Sequence, residues 1–404
     1  MLRLAFEALF ALLALCGLTF YLIALWSARS FQQEREPELS PGAEIPVSVL
    51  KPLKGADAQT YAALNSHCVQ DYSEYQIIFG VNEATDEAVP LVRKIIAEFP
   101  QRDIRLVICS EALGANRKVS NLVHLLREAK HRHVLVNDGD IEVEPNYLRA
   151  VMAHFADSTV GMVTCLYKGR ASQTLGSRLE SLGIATDFAA GVLTARYLDD
   201  GLRFALGSTM AMSCVALEKI GGFNAVLDCL ADDYQLGQRI ANAGFKVVLT
   251  HEVVETSIPP YSFSQFWEHQ LRWARTMRVS RPGGYLGVGT TYGLAWAILT
   301  LLIAPHAWWA WTILAAALIA RIAVALRIGE GVLRDPQVKR DLWLIPFRDF
   351  FALATWVWSY AGDTVTWRGE KFRLEQGRMV PVSSSVSRSI KDAAGEVDSR
   401  AQRR

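Results

Sequence analysis

Between Val47 and Val136, short apolar runs alternate with amphipathic stretches. Strand patterns fall at residues 47–50, 75–81, 104–109 and 134–136, with helical patterns at 56–69, 87–99 and 116–129 between them. Strands separated by a helix cannot close as hairpins. They pair in parallel through crossovers, with helices covering the sheet. Ligands on such sheets bind beyond the carboxyl ends of the strands. Three loops lie there, at residues 51–55, 82–86 and 137–141. Further strand patterns follow at 160–166 and 210–216, and helical ones at 232–243 and 264–278.

The third loop carries Asn137-Asp-Gly-Asp140. Two carboxylates one residue apart at a strand end offer hard oxygens to Mg2+ or Mn2+, whose remaining ligands can be phosphate oxygens. The same residues are good turn chemistry, and alone they read more simply as a turn. Their place after the fourth strand of the alternation favours the metal reading. A second acidic pair, Asp232-Asp233, opens the helix at 232–243. Acids complement any helix N-terminus, yet one of the two can cap while the other faces the cleft. A carboxylate beside a bound diphosphate is suited to act as general base. The third group is His269-Gln-Leu-Arg272-Trp273, on a helix that mixes aromatic and basic residues. Such a helix suits a membrane surface. An arginine there also suits neutralising a departing diphosphate.

Residues 4–26 are apolar apart from Glu7, long enough to cross a bilayer. They read as a retained anchor, because a secretory leader has a shorter apolar core and a small-residue cleavage site. Arg29, Arg35, Lys51 and Lys54 follow it and only Arg3 precedes it, which places the following domain in the cytoplasm. Residues 287–303 and 308–326 are two further spanning candidates, with Arg327, Arg334, Lys339 and Arg340 after them. The aromatic segment at 347–360 either spans or re-enters. The sparse charge of 352–367 favours a third crossing, although Lys371, Arg373, Arg378 and Arg388 would then lie outside. The Ser-rich tail after Val382 reads as disordered. Hydrophobic residues make up 51% of the chain, as expected of a soluble domain joined to a few membrane segments. The net charge of +1 leaves no basic field for nucleic acid. The six scattered cysteines read as core thiols. His67, His124, His131 and His133 lack metal-ligand spacing and read as surface or core histidines.

The run of 47–55 (Val-Ser-Val-Leu-Lys-Pro-Leu-Lys-Gly), Asp138-Gly-Asp140, Leu230-Ala-Asp-Asp-Tyr234 and Arg272-Trp273, ending in Trp367-Arg-Gly369, resembles the ceramide glucosyltransferase family of membrane glycosyltransferases. Residues 114–121 and 161–167 are similar to its bacterial branch, the glycosyltransferases of hopanoid biosynthesis. The resemblance covers 46–373. It implies an α/β fold of the GT-A (Rossmann-like) type, an inverting transfer from a UDP-sugar (glucose or N-acetylglucosamine) to a membrane lipid (a hopanoid polyol or ceramide), and a multi-pass protein of a bacterial inner membrane. Carried over by position, Lys51, Pro52, Lys54, Lys118 and Asp138 would line the donor, with Glu83 or Asp86. Asp138 and Asp140 would hold Mg2+ or Mn2+, Asp140 as the metal ligand and Asp138 at the metal or the ribose. Asp233 would be the base, beside Asp232, and Arg272 with Trp273 would close the donor site. Two positions depart from the family pattern: Asn82-Glu83 precedes Asp86, and His269 opens the arginine–tryptophan motif. The match is weakest over 175–197.

The implied organisation is an anchor at 1–28, a linker at 29–45, a catalytic domain at 46–257, an interfacial helix at 258–284, membrane segments at 285–367 and a basic tail at 368–404. Two rivals stand beside this reading. A processive polysaccharide synthase of the same fold would need more spans for a channel. A non-catalytic membrane scaffold would not need its acids intact.

Overall fold

The computed structural model describes residues 1–39, 44–367 and 370–382. The linker residues 40–43, Arg368 and Gly369 of the Trp367-Arg-Gly motif, Arg388 and the Ser-rich tail lie outside the described residues.

The eight strands of the main sheet are β1 (Val47–Pro52), β2 (Tyr75–Val81), β3 (Asp103–Ile108), β4 (His133–Val136), β5 (Ile141–Glu142), β6 (Val160–Arg170), β7 (Met210–Ser213) and β8 (Lys246–Ser257), in the order β3-β2-β1-β4-β7-β6-β8-β5. The first four pair in parallel, with Val47 opposite Tyr75, Gln76 opposite Asp103 and Ser48 opposite Val134. The sheet then turns mixed, since β7 runs antiparallel to both β4 and β6. β6 lies parallel to β8 over ten paired positions, with two irregularities in register.

β1 and β2 are buried along their whole length, as expected of parallel strands covered on both faces. Alternate side chains supply two cores. Val47, Val49, Ile77 and Phe79 pack with Leu64 of α2 (Thr60–Cys68), Val92 of α3 (Ala88–Glu98) and Val151 of α5 (Tyr147–Ala153). Leu50, Ile78 and Val136 face the other way, onto Leu122 and Leu125 of α4 (Arg117–Arg127). That second core continues into α6 (Leu175–Gly183) and α7 (Ala189–Leu198), and onto Ala24, Ala28 and Phe31 of α1 (Leu2–Gln33).

Three differences from the sequence patterns have physical causes. The strand at 210–216 stops at Ser213, because its hydroxyl accepts from Ala216 N and caps the short α8 (Cys214–Lys219). β8 has no counterpart in the patterns read above; its buried and half-buried positions do not follow a clean period of two. The basic segment after 363 is a three-stranded antiparallel sheet of β9 (Thr364–Trp367), β10 (Glu370–Glu375) and β11 (Arg378–Pro381). Its tight turn is Gln376-Gly377, with φ of +50 and +82, the left-handed pair that a two-residue hairpin requires.

α9 (Asp232–Asn242) follows the loop from β7 and α8. α10 (Phe263–Ser280) begins at a capping box formed by Ser262 and Gln265. Among the described residues, two helices are long and apolar enough to cross a membrane: α1 and Trp308–Glu330, which comprises α13 (Trp308–Val324) and its continuation. α11 (Pro282–Val288) and α12 (Gly293–Ile303) belong to a pair bent by 55°, not to one straight span. α12 presses on α1 so closely that a Cβ on Gly17 would lie 2.2 Å from Gly293 Cα. α14 (Gln337–Asp341) leads to α15 (Ile345–Ser359), which has 15 residues. That is short of the roughly 20 needed to span. The chain enters β9 at Thr364, so the third crossing expected over 352–367 has no helix of spanning length.

Candidate active site

Four charged groups meet beyond the carboxyl end of β4. Asp138 lies in the loop leaving that strand, Lys118 on the first turn of α4, and Asp232 and Asp233 at the start of α9. Asn116 brings α4 and α9 together. Its side chain caps α4 by accepting from Val119 N, and its Nδ2 donates to Cys229 O at 2.8 Å. Lys118 Nζ then reaches Asp138 Oδ1 at 2.7 Å and Asp232 Oδ2 at 3.3 Å. Burial opposes its charge, but Asp138 and Asp232 outweigh it and hold the ammonium above its usual range.

Asp233 accepts from Gly207 N at 2.9 Å and from its neighbour Tyr234 N at 2.7 Å. Burial, aided by the Asp232 charge, pushes its carboxyl up to about 6 against the opposing pull of Lys118. A Cβ on Gly207 would lie 3.2 Å from Asp233 Oδ2 and 3.4 Å from Asp138 Oδ2, so the two carboxylates converge over this glycine. Neither acid of the pair is the N-cap of α9. That residue is Ala231, and Asp232 is committed to Lys118 instead.

Asp140 is exposed at the mouth of the loop and accepts from Thr256 Oγ1 of β8 at 2.6 Å. Packing around its carboxyl, with the Asp138 charge, raises its pKa. Among the described residues no three His, Cys, Asp or Glu side chains converge as a ready metal cage. A divalent ion here would be held by Asp138 and Asp140 and completed by diphosphate oxygens, which Mg2+ and Mn2+ accept. The Asp140 carboxyl, whose ionisation the packing around it and the Asp138 charge disfavour, fits that use.

Lys51 is fully buried behind the loop, not on the cleft. Its Nζ donates to Asp138 O at 3.1 Å and lies 3.3 Å from His67 Nε2, which is 3.1 Å from Asn137 Oδ1. Burial pushes Lys51 down to about 7. Pro52 is buried beside it, whereas Lys54 is exposed. Of the two acids left open above, Glu83 is exposed, while Asp86 accepts from Gly55 N at 2.9 and 3.2 Å and from Ala88 N at 2.9 Å. Asp86 thus latches the first loop to the second, and Gly55 meets it at a φ of +70 that favours glycine.

Trp273, next to Arg272, stands in the middle of an aromatic row. Ring centroids run from Tyr167 to Phe188 (5.3 Å), Trp273 (6.0 Å), His269 (5.4 Å) and Tyr261 (5.4 Å). Burial lifts the Tyr167 phenol well above its usual range, with the charges of Glu180, Asp233, Asp138 and Asp140 adding to the effect. Burial lowers Arg272. Sequence reading missed Glu180, whose carboxylate faces both positions that open the arginine–tryptophan motif: Gln270 donates to it at 2.7 Å, and His269 Nδ1 lies 3.3 Å away. The available signal was a lone acid between Leu179 and Leu182 in an otherwise apolar run.

A mixed sheet with a parallel half, an acid pair beyond β4 and a second acid at a later helix start define a glycosyltransferase of the GT-A type. A known solved structure shares this fold: the mannosyltransferase PcManGT from Pyrobaculum calidifontis, in complex with GDP-Man and Mn2+. Its TM-score is 0.54 and its identity 19%, covering 88% of this chain and 99% of that one. The family model for Glycosyl transferase family 21 matches residues 9–380, and the chain belongs to that family. Ceramide glucosyltransferase 1 of Caenorhabditis elegans is 24% identical over 398 residues, which is 93% of this chain and 83% of the relative. Ceramide glucosyltransferase 3 of the same organism is 24% identical over 270 residues, 65% of this chain and 58% of that relative. The ceramide glucosyltransferase resemblance is thereby established at the level of the family.

Proposed function

We propose that the chain transfers one sugar from a UDP-sugar to a hydroxyl of a membrane lipid, with inversion, and that Asp233 is the base. The convergence of Asp233 and Asp138 over Gly207, beside Lys118, carries this reading. With its carboxyl near 6, Asp233 is ionised at neutral pH yet basic enough to receive a hydroxyl proton. The lipid oxygen attacks the anomeric carbon as its proton passes to Asp233. The bond to the diphosphate breaks on the opposite face, and UDP leaves. Lys118 and Arg272 offset the charge that develops on UDP, within a pocket walled by Trp273 and Tyr167. When bound at Asp138 and Asp140, Mg2+ or Mn2+ supplies further charge stabilisation to the departing diphosphate. Asp86 and Lys51 fix the loops that frame the donor.

The two spanning helices support a bilayer-resident acceptor, and the basic residues after α1 support a cytoplasmic catalytic domain. Because the relatives are named ceramide glucosyltransferases, UDP-glucose with ceramide is the first pair to test. UDP-N-acetylglucosamine with a hopanoid polyol rests on the resemblance at 114–121 and 161–167, and would place the protein in a bacterial inner membrane. Membranes containing the protein are incubated with each radiolabelled UDP-sugar and each lipid. One labelled lipid bearing a single sugar is expected. A long oligomeric product, or no labelled lipid with any pair, would overturn the proposal.

A further inference from the structure

A chain of buried polar groups runs from the transmembrane region to the arginine–tryptophan helix, and the chemistry above does not use it. Glu180 on α6 is 2% exposed. Both its oxygens face α10, toward Gln270 Nε2 (2.7 Å) and His269 Nδ1 (3.3 Å). Gln270 Oε1 accepts from Arg348 Nη2 of α15 at 3.1 Å. Arg348, 6% exposed, also ion-pairs with Asp187 at 3.3 Å. Asp187 pairs in turn with Arg321, fully buried on α13, and Arg321 donates to Asp349 from Nε and Nη2 at 3.0 and 2.9 Å. Buried charges are costly unless paired, so each member depends on the next. Gly183 leaves the space that Arg348 fills: a Cβ there would lie 2.4 Å from Arg348 Nη2.

We infer that Glu180 is a positioning residue for the transfer reaction. It fixes the turn of α10 that carries Arg272 and Trp273, and through Arg348 it ties that turn to the transmembrane helix α13. His269 and Trp273 are one helical turn apart and in ring contact, so restraining His269 restrains Trp273. The inference rests on the reading that Arg272 faces the departing diphosphate.

Two substitutions in the full-length protein test it. Glu180→Gln keeps the size and removes the charge. Gly183→Ala displaces the guanidinium end of Arg348, not backbone, and adds a good helix former. Hydrogen exchange is read first, with neither donor nor acceptor. Both variants should speed exchange over 263–280 about tenfold and leave β1–β4 unchanged. In the transfer assay both should lose about tenfold in kcat with donor KM within about twofold, and Glu180→Gln should add nothing to the loss caused by Arg272→Lys. Unchanged exchange over 263–280 in either variant overturns the inference, as does an additive loss with Arg272→Lys. If exchange responds as expected but the wild type moves no sugar to lipid, the function proposed above fails, and only the restraint of α10 by Glu180 stands.

Discussion

Lys118 and Glu180 are both buried charges at the edge of one cleft, and they are held in different ways. Lys118 sits where α4 begins and is met by acids from two loops at the ends of a sheet strand and a helix. Its partners are placed by backbone that the parallel sheet has already fixed. Glu180 is met by side chains of α10, which are in turn bonded to α15 and, through Asp187, to a transmembrane helix. Its partners are placed only when helices far apart in sequence have docked. Under the proposed function, the donor-side acid cluster is preorganised by the sheet, and the arginine–tryptophan helix by its bonds to α6 and α15. Changes on the first should strike the chemistry or donor binding directly. Changes on the second should strike turnover while sparing the donor.

The largest effect that would sharpen this contrast is Asp233→Asn, which removes the proposed base without moving the sheet. Transfer should fall by about a thousandfold with an unchanged thermal midpoint, measured by labelled lipid and by a melting scan. Next is Lys118→Met. It strips the counter-charge from Asp232, which is buried, and should cost about 3 kcal/mol of stability as well as most activity. A melting midpoint equal to wild type would show that the donor side is not held by this ion pair. Asp86→Ala frees Gly55 and should raise donor KM about tenfold, with kcat changed far less, as steady-state kinetics in UDP-sugar would show. The smallest is Ser213→Ala, which removes the cap of α8 and should lower stability by about 1 kcal/mol with no effect on KM.

The same contrast explains what was legible in the chain. The four parallel strands were readable to within a residue or two, because short, mostly apolar stretches between amphipathic helices mark them, with β1 and β2 buried on both faces. Asp138, Asp140, Asp232 and Asp233 stood out because acids at element ends mark a cleft. Lys51 was placed on the donor by the family resemblance, whereas the fold puts it behind the loop; its contacts are with His67 and Asp138, 16 and 87 residues away, which no local pattern encodes. Glu180 was overlooked because its partners come from α10, some 90 residues away in the chain. β8 was missed because its mixed burial blurs the alternation that marks a strand. The hairpin β10–β11 was missed because its basic residues suggested a tail, although Gln376-Gly377 is a turn signal.

The most direct test of the account is the pH dependence of kcat/KM for lipid glycosylation by the wild type and by Asp233→Asn. The base acts ionised, and its carboxyl lies near 6. The wild-type rate should therefore rise about tenfold per pH unit up to about 6 and then level off, while the variant stays flat and about a thousandfold lower. A variant that keeps the wild-type rate, or the same rise through pH 6, would contradict the assignment of Asp233 as the base.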